Sequence, residues 1–351
     1  MRTIAAALML SSIALAGPLT PPPGGVQSTG KTTNQIEPRT FLSQANTPGD
    51  ADALFVITQP GSYYLEGNIQ APAGRSGIKI STSGVTLDLN GFSITGTSTS
   101  PNGIEFVDPS FGRFQQFHIR NGHISGFTDN GISGNVRAAG GTITDITAAD
   151  NGQNGIAVED SFVIENCVAR NNGRIGFVVN RDCILVDCIA RGNGSDGFAV
   201  NFINRLDRCH AVFNAGDGFQ VGRANRLTNC YAQSNETSGF NLSVDDCVLI
   251  ACSAYQNDGN LATTVAGFLV NAANTGNTGR HTLIDCVASE NDIGFDVNSV
   301  GNFLRGNRGV DNRLNNTAAL LNFAVVSGNV APLVTGSSVT ASTSAIANIN
   351  Q

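Results

Sequence analysis

The chain has 351 residues, a formal net charge of −7 and 41 glycines, and only 13% of its side chains are charged. The negative balance excludes wholesale electrostatic binding of nucleic acid. Few charges and abundant glycine exclude a helical bundle and suit short strands joined by tight turns.

The predicted elements begin with a leader over residues 1–16. Arg2 supplies a positive start, Ile4 to Leu15 an apolar run, and Ala14-Leu15-Ala16 a small-x-small cleavage site before Gly17. The run is too short to anchor in a bilayer, and no later segment has the length of a membrane-spanning helix. This predicts a secreted, periplasmic or cell-surface protein with no membrane span after cleavage. Residues 17–36 read as a linker centred on Pro21-Pro22-Pro23-Gly24-Gly25. Residues 37–75 read as an N-terminal cap, with strands at Phe55-Val56-Ile57 and Ser62-Tyr63-Tyr64-Leu65.

Residues 76–315 repeat. Glycine followed by Ile or Phe recurs at 77, 103, 131, 155, 176, 197, 218, 239, 267 and 294, and the four spacings from Gly155 to Gly239 are each 21 residues. An aliphatic column keeps the same phase through Leu185, Leu206, Leu227 and Leu249. A cysteine column lies three residues later, and an asparagine column runs through Asn172, Asn193, Asn214 and Asn235. The unit Asp196 to Gly216 contains three short β-type pieces separated by Gly, Asn and Asp, with no stretch of helical periodicity. Three strands in about 21 residues fit one rung of a three-sided parallel solenoid of about ten rungs, whose rungs bury their inward side chains against one another. Extra length at Val107 to Gln116, Asn260 to Val265 and Ala272 to Arg280 reads as loops. Residues 316–351 read as a C-terminal cap and tail, with a last strand near Leu320 to Val326.

Six of the eight cysteines, Cys167, Cys188, Cys209, Cys230, Cys252 and Cys286, form one column, and Cys183 and Cys247 each sit five residues before a member of it. In-register stacking holds neighbouring Cβ atoms about one rung apart, farther than the roughly 3.8 Å of a disulfide. The column therefore reads as buried free thiols, with one or two bridges, or a metal site, as the alternatives.

The pattern resembles the pectin-lyase-like superfamily of right-handed parallel β-helix proteins. The resemblance covers about residues 50 to 315, and Asn154-Gly155-Ile156-Ala157-Val158 with Ile164-Glu165-Asn166-Cys167-Val168-Ala169 show it in one rung. It implies an all-β, right-handed parallel β-helix and a carbohydrate-related role, since many members act on polysaccharides as lyases, hydrolases or epimerases. Others are adhesins. The Gly-His-Gly motif of the polygalacturonase-like hydrolases and the Asp-Pro-His of the alginate epimerases are absent from this sequence. Two classes of function stay open. One is binding or cleavage of an acidic polysaccharide or cell-surface glycan, by a lyase or glycoside hydrolase if an enzyme. The other is a non-enzymatic structural or adhesive solenoid.

Candidate ligand-binding residues follow from charge and stacking. Asp196 and Asp217 lie one rung apart, so their carboxylates could hold Ca²⁺, share a proton or simply form Asp-Gly turns. Arg181 and Arg223 follow the first strand of their rungs. They could fork onto glycan carboxylates or balance nearby aspartates. From Cys167 to Cys230 there are eight arginines against five aspartates, a local positive excess in an acidic chain. The four residues are expected to share one face. His118 and His123 are the nearest histidine pair and are expected beside each other on the surface. The outward row of the first strand is expected to run Lys79, Glu105, Ser133, Ala157, Val178, Ala199, Gln220, Asn241, Leu269 and Asp296. It is apolar in the middle and lacks an acid–base pair there.

Overall fold

One turn of the chain generates the architecture. The computed structural model describes residues 38–107, 116–134, 139–258, 265–272, 278–313 and 322–335. The expected leader and linker lie outside these residues, as do most of the three inserted loops and the end of the tail. In the unit read from the sequence, strands Phe198–Phe202, Arg205–Asp207 and His210–Val212 follow one another. Each pairs in parallel with its counterpart 21 residues earlier and 21 residues later, as in Phe177↔Phe198↔Phe219, Leu185↔Leu206↔Leu227 and Ala190↔Ala211↔Ala232. Repetition makes three parallel ladders over about eleven turns, with no helix among the described residues. The first ladder begins at Ala53–Ile57, which pairs with Ser76–Ile80. The second and third include Gly61–Tyr64 and Ile69–Gln70. At the other end Phe323–Val325 extends the first ladder and Val330–Thr335 the second.

From the turn that begins at Ile104 onward, three sharp corners close each turn. Ile203, Arg208 and Phe213 all have positive φ, five residues apart. The same spacing recurs at Ser161, Asn166 and Asn171; at Asp182, Asp187 and Gly192; and at Arg280, Asp285 and Glu290. The left-handed conformation costs an L-residue roughly 1–2 kcal/mol, and Asn, Asp and Gly adopt it most readily. Those three types therefore fill most corner positions.

The residue after each corner points inward and stacks in a column. At the third corner the column is asparagine. Asn172, Asn193 and Asn214 each donate from Nδ2 to Oδ1 of the next asparagine at 2.9 Å. Each Oδ1 also accepts a backbone N–H from the turn before it, as Asn193 does from Asn172 N at 3.1 Å. The second proton of Nδ2 goes to a carbonyl, as from Asn193 to Ala169 O at 3.1 Å. The amides are buried and satisfied as both donors and acceptors.

Cysteine occupies the equivalent place at the second corner. Cys188 Sγ lies 3.4 Å from Ile164 O and Cys209 Sγ 3.6 Å from Leu185 O, the same 24-residue offset that links Asn193 to Ala169. The thiol reproduces the donor half of the asparagine contact in a smaller volume. All eight cysteines are buried and unpaired. Burial pushes the Cys167 and Cys247 thiols up to about 12 and that of Cys183 up to about 11, so they stay protonated.

Between the corners the core is built from identical stacks. Phe177, Phe198, Phe219, Phe240, Phe268, Phe295 and Phe323 stack with centroids 4.7–4.9 Å apart and planes within 6°. This is the strand spacing itself. The start of the first ladder runs close to the end of the third. A Cβ on Gly197 would lie 2.7 Å from Gly218 O and 2.9 Å from Ala211 Cβ. The glycine and alanine columns are thus two sides of one close approach.

Leu206→Asp places an unpaired charge in the core between Leu185 and Leu227. It should cost several kcal/mol, read as loss of the unfolding transition in strand-region circular dichroism. Thiol titration without reductant should find almost no reactive groups in the folded protein and eight after unfolding. Recovery of four disulfides by mass mapping would contradict the corner geometry.

Candidate functional site

The structure separates the four predicted site residues into two pairs. Asp196 and Asp217 precede the first ladder, whereas Arg181 and Arg223 end its strands Phe177–Arg181 and Phe219–Arg223. Arg223 follows Asp217 by six positions, roughly 20 Å of extended chain. The shared face expected from the sequence does not form, because the first strand is five residues long and puts the pairs at opposite edges.

The aspartates belong to a polar turn ladder. Asn102 Oδ1 accepts Asn130 N–H, Asn130 Oδ1 accepts Asn154 N–H, and Asn154 Oδ1 accepts Ile175 N–H. In the later turns Asp196 Oδ1 accepts Asp217 N–H at 2.8 Å and Asp217 Oδ1 accepts Ser238 N–H at 2.9 Å. Asp217 also accepts from the Thr237 hydroxyl at 2.6 Å and Asn241 Nδ2 at 2.8 Å. Burial raises both carboxyls above the usual range. Donors to Asp217 oppose the rise, and the Asp217 charge adds to it at Asp196. Ca²⁺ needs six to eight oxygen ligands. The Asp217 carboxylate is surrounded by hydrogen-bond donors instead, so the pair does not fit that ion. Among the described residues no three His, Cys, Asp or Glu side chains cluster as a metal site.

The arginines lie in a more informative place. Asp160, Arg181, Phe202 and Arg223 are in register at the end of the first ladder. Phe202 is 41% exposed, and the Arg181 guanidinium carbon lies 5.8 Å from its ring centroid. Just past the first corner, Ile184, Arg205 and Arg226 form a second exposed column. Among the described residues no carboxylate is within ion-pair distance of Arg181, Arg205 or Arg226, while Arg223 Nη2 donates to Asp245 at 2.9 Å. The sequence missed Phe202 and Ile184, and counted Arg205 and Arg226 in the local positive excess without placing them in a site. Their signal was apolar or cationic residues in surface columns that are mostly polar elsewhere.

The other surface features are distinct. His118 lies in the second ladder, bonded through Nδ1 to Thr142 Oγ1 at 2.8 Å, and His123 lies in the third. The Asn121 corner stands between them, so they are not side by side. The outward row of the first ladder stacks from Lys79 to Asp296. A groove of about 500 Å³ near the third corner is lined by Ser234, Gln256, Asp258, Glu290, Asp292 and Asp311 among others. Its acids repel an anionic ligand, so it is not equivalent to the arginine corner.

A family model described as "Right handed beta helix region" matches residues 55–202. The fold is a right-handed parallel β-helix. This β-helix is similar to the Dettilon tailspike protein, with 14% identity and a TM-score of 0.55, over 73% of this chain and 58% of the tailspike. It is also similar to the catalytic domain of a GH87 alpha-1,3-glucanase in complex with tetrasaccharides, with 13% identity and a TM-score of 0.55, over 79% of this chain and 62% of that one. The A-module of the Azotobacter vinelandii mannuronan C-5 epimerase AlgE4 matches with 14% identity and a TM-score of 0.51, over 78% of this chain and 91% of the module. The chain spans less than two thirds of the tailspike and of the glucanase domain. No curated protein matches the sequence. No helix among the described residues is long and apolar enough to cross a membrane.

Behind the arginine corner sits a buried histidine. His281 shares the inner first-corner column with Asn204, Asn225, Cys247 and Asn302. Its Nδ1 accepts Cys247 N–H at 3.2 Å and its Nε2 donates to Asn271 O at 2.8 Å. Burial lowers its pKa below 6.5, against the opposing charges of Asp245 and Asp246. Protonation would remove the acceptor. The stability conferred by neutral His281 is complete above the unfolded-state value of about 6.5 and is lost as pH falls through the lower folded-state value. His281→Asn supplies the acceptor found at Asn225 and Asn302. Denaturant melts at pH 7.5 and 5 should show a smaller loss for this variant than for the wild type.

Proposed function

We propose that this β-helix is an exported protein that binds an acidic polysaccharide along the corner following the first ladder. The Arg181–Phe202–Arg223 column carries the reading. An exposed ring offers a flat apolar surface to the face of a sugar, and guanidinium groups one rung above and below it can fork onto carboxylates. The two guanidinium groups belong to positions two rungs, roughly 10 Å, apart with the ring between them, so a polymer can place carboxylates on either side of a stacked sugar. Arg205 and Arg226, across the corner, extend the positive strip. The similarity to a tailspike, a glucanase and a mannuronan epimerase supports a glycan as the partner class, and the leader read over residues 1–16 supports encounter outside the cytoplasm. Binding is common to an enzyme and to an adhesive solenoid. Product analysis for unsaturated and reducing ends separates the two.

The test is affinity for polygalacturonate and alginate, with neutral dextran as the control. Arg181→Ala should weaken binding to the acidic polymers about tenfold, the low end for a charge-assisted contact at an exposed site. Added salt should weaken wild-type binding progressively. Phe202→Ser should weaken it without changing the salt slope, and Asp217→Asn should leave it unchanged. Equal affinity for dextran, or full binding by Arg181→Ala and Phe202→Ser, would overturn the proposal.

A further inference from the structure

Five of the eight exposed large apolar side chains among the described residues, Ile184, Ile189, Phe202, Ile203 and Phe213, fall within two consecutive turns. Two of them also break the corner rule. Of the twenty-three non-glycine residues with positive φ among the described residues, only Ile203 and Phe213 carry large apolar side chains, both at φ 58°. Other turns place Asp182, Ala224 or Asp246 at the first corner and Asp150, Asn171 or Ser234 at the third. Ile203 is 56% exposed and Phe213 50% exposed, so neither gains much burial in return for an unfavourable backbone. Folding gives no reason for either residue, and both occur in a single turn. Strained, exposed apolar positions of this kind point to contact with something outside the chain.

Ile203 adjoins Phe202 and belongs to the corner already described. Phe213 lies elsewhere, eleven residues after Phe202 and past the second and third ladders. The Arg191 guanidinium carbon lies 5.2 Å from its ring centroid. Arg191 is in register with Arg170 on the preceding turn, and Ile189, exposed, begins the same short strand. Among the described residues Arg191 has no carboxylate at ion-pair distance, whereas Arg170 approaches Asp150 at 3.8 Å. The third corner thus repeats the elements of the first: an exposed ring, a guanidinium against it, a second arginine one rung away and an exposed aliphatic side chain. A cation beside each ring disfavours a purely apolar partner and favours an anionic one with flat faces.

We propose that Phe213 and Arg191 form a second binding platform for an acidic polysaccharide, so that one turn of the solenoid holds two separate stretches of glycan. This rests on the reading of the first corner, and it makes the protein bivalent. A long polymer or two neighbouring chains could then be engaged at both corners, with avidity that a single site lacks.

The experiment counts sites with a short probe, hexameric mannuronate, by calorimetric titration of the full chain. Wild type should bind two hexamers. Phe213→Asn restores the residue type that the corner prefers. It should bind one hexamer while its Tm stays level or rises, so a lost site cannot be assigned to unfolding. Phe202→Ser should also leave one site, and the double variant none. A Phe213→Asn variant that still binds two hexamers, or a wild type that binds only one, would overturn the second platform and leave the first intact. A Phe202→Ser variant that keeps both sites, or a wild type that binds none, would instead overturn the reading of the first corner.

Discussion

From Ile104 onward each turn changes direction at three single residues, and the left-handed corner is how it does so. A positive φ at Ile203, Arg208 or Phe213 sends the next side chain, that of Asn204, Cys209 or Asn214, into the interior. There it meets its counterparts on neighbouring turns and little else. Its polar atoms must be satisfied along the stacking axis or left orphaned in a dry core, at a cost of a few kcal/mol each. Asparagine satisfies them by donating and accepting, cysteine by donating to one carbonyl, and His281 by accepting at one nitrogen and donating at the other. The columns of phenylalanine, leucine and alanine follow from the same in-register constraint, with dispersion and area burial replacing hydrogen bonds.

This arrangement explains which parts of the molecule could be read in advance. Columns of one residue type, such as Cys188–Cys209–Cys230 and Asn193–Asn214–Asn235, were legible because like must stack on like. The first inner corner was not, since Cys183, Asn204, Asn225, Cys247 and His281 differ in type and share only a role. The left-handed corners were hidden for a similar reason. Asp, Asn, Gly, Ser, Ala, Arg, Ile and Phe all occur there, and only backbone geometry unites them. The turns before Gly77 were masked because Ala53–Ile57 and Gly61–Tyr64 keep the ladders without the glycine–aromatic signature. The candidate site was legible in half its parts. Arg181 and Arg223 were found from charge, but their distance from Asp196 and Asp217 depends on the length of one strand, and Phe202 could be recognised only once its neighbours in register were known.

The interior leaves function little room. Gly197, Ala211 and the phenylalanine stack are determined by contacts of a few ångströms with adjacent turns. Variation is free at the corners and on the outward rows, and the chain uses it unevenly. Arginine and exposed apolar side chains gather between Phe177 and Arg226, whereas Asp258, Glu290, Asp292 and Asp311 gather on later turns. Segregation of this kind lets a repetitive scaffold mark one short stretch of its length as different from the rest.

The asparagine column has a direction. Every amide from Asn151 to Asn312 accepts from the turn before it and donates to the turn after it. The last of the series, Asn322, keeps an Nδ2 with no acceptor among the described residues. Side-chain dipoles aligned head to tail add as peptide dipoles do in a helix, negative toward the first turns and positive toward the last. The two ends of the column are therefore electrically unlike. The end of the column at Asn322 is polarised to attract an acceptor or an anion, whereas the end at Asn151 already takes its donor from Phe127 N–H.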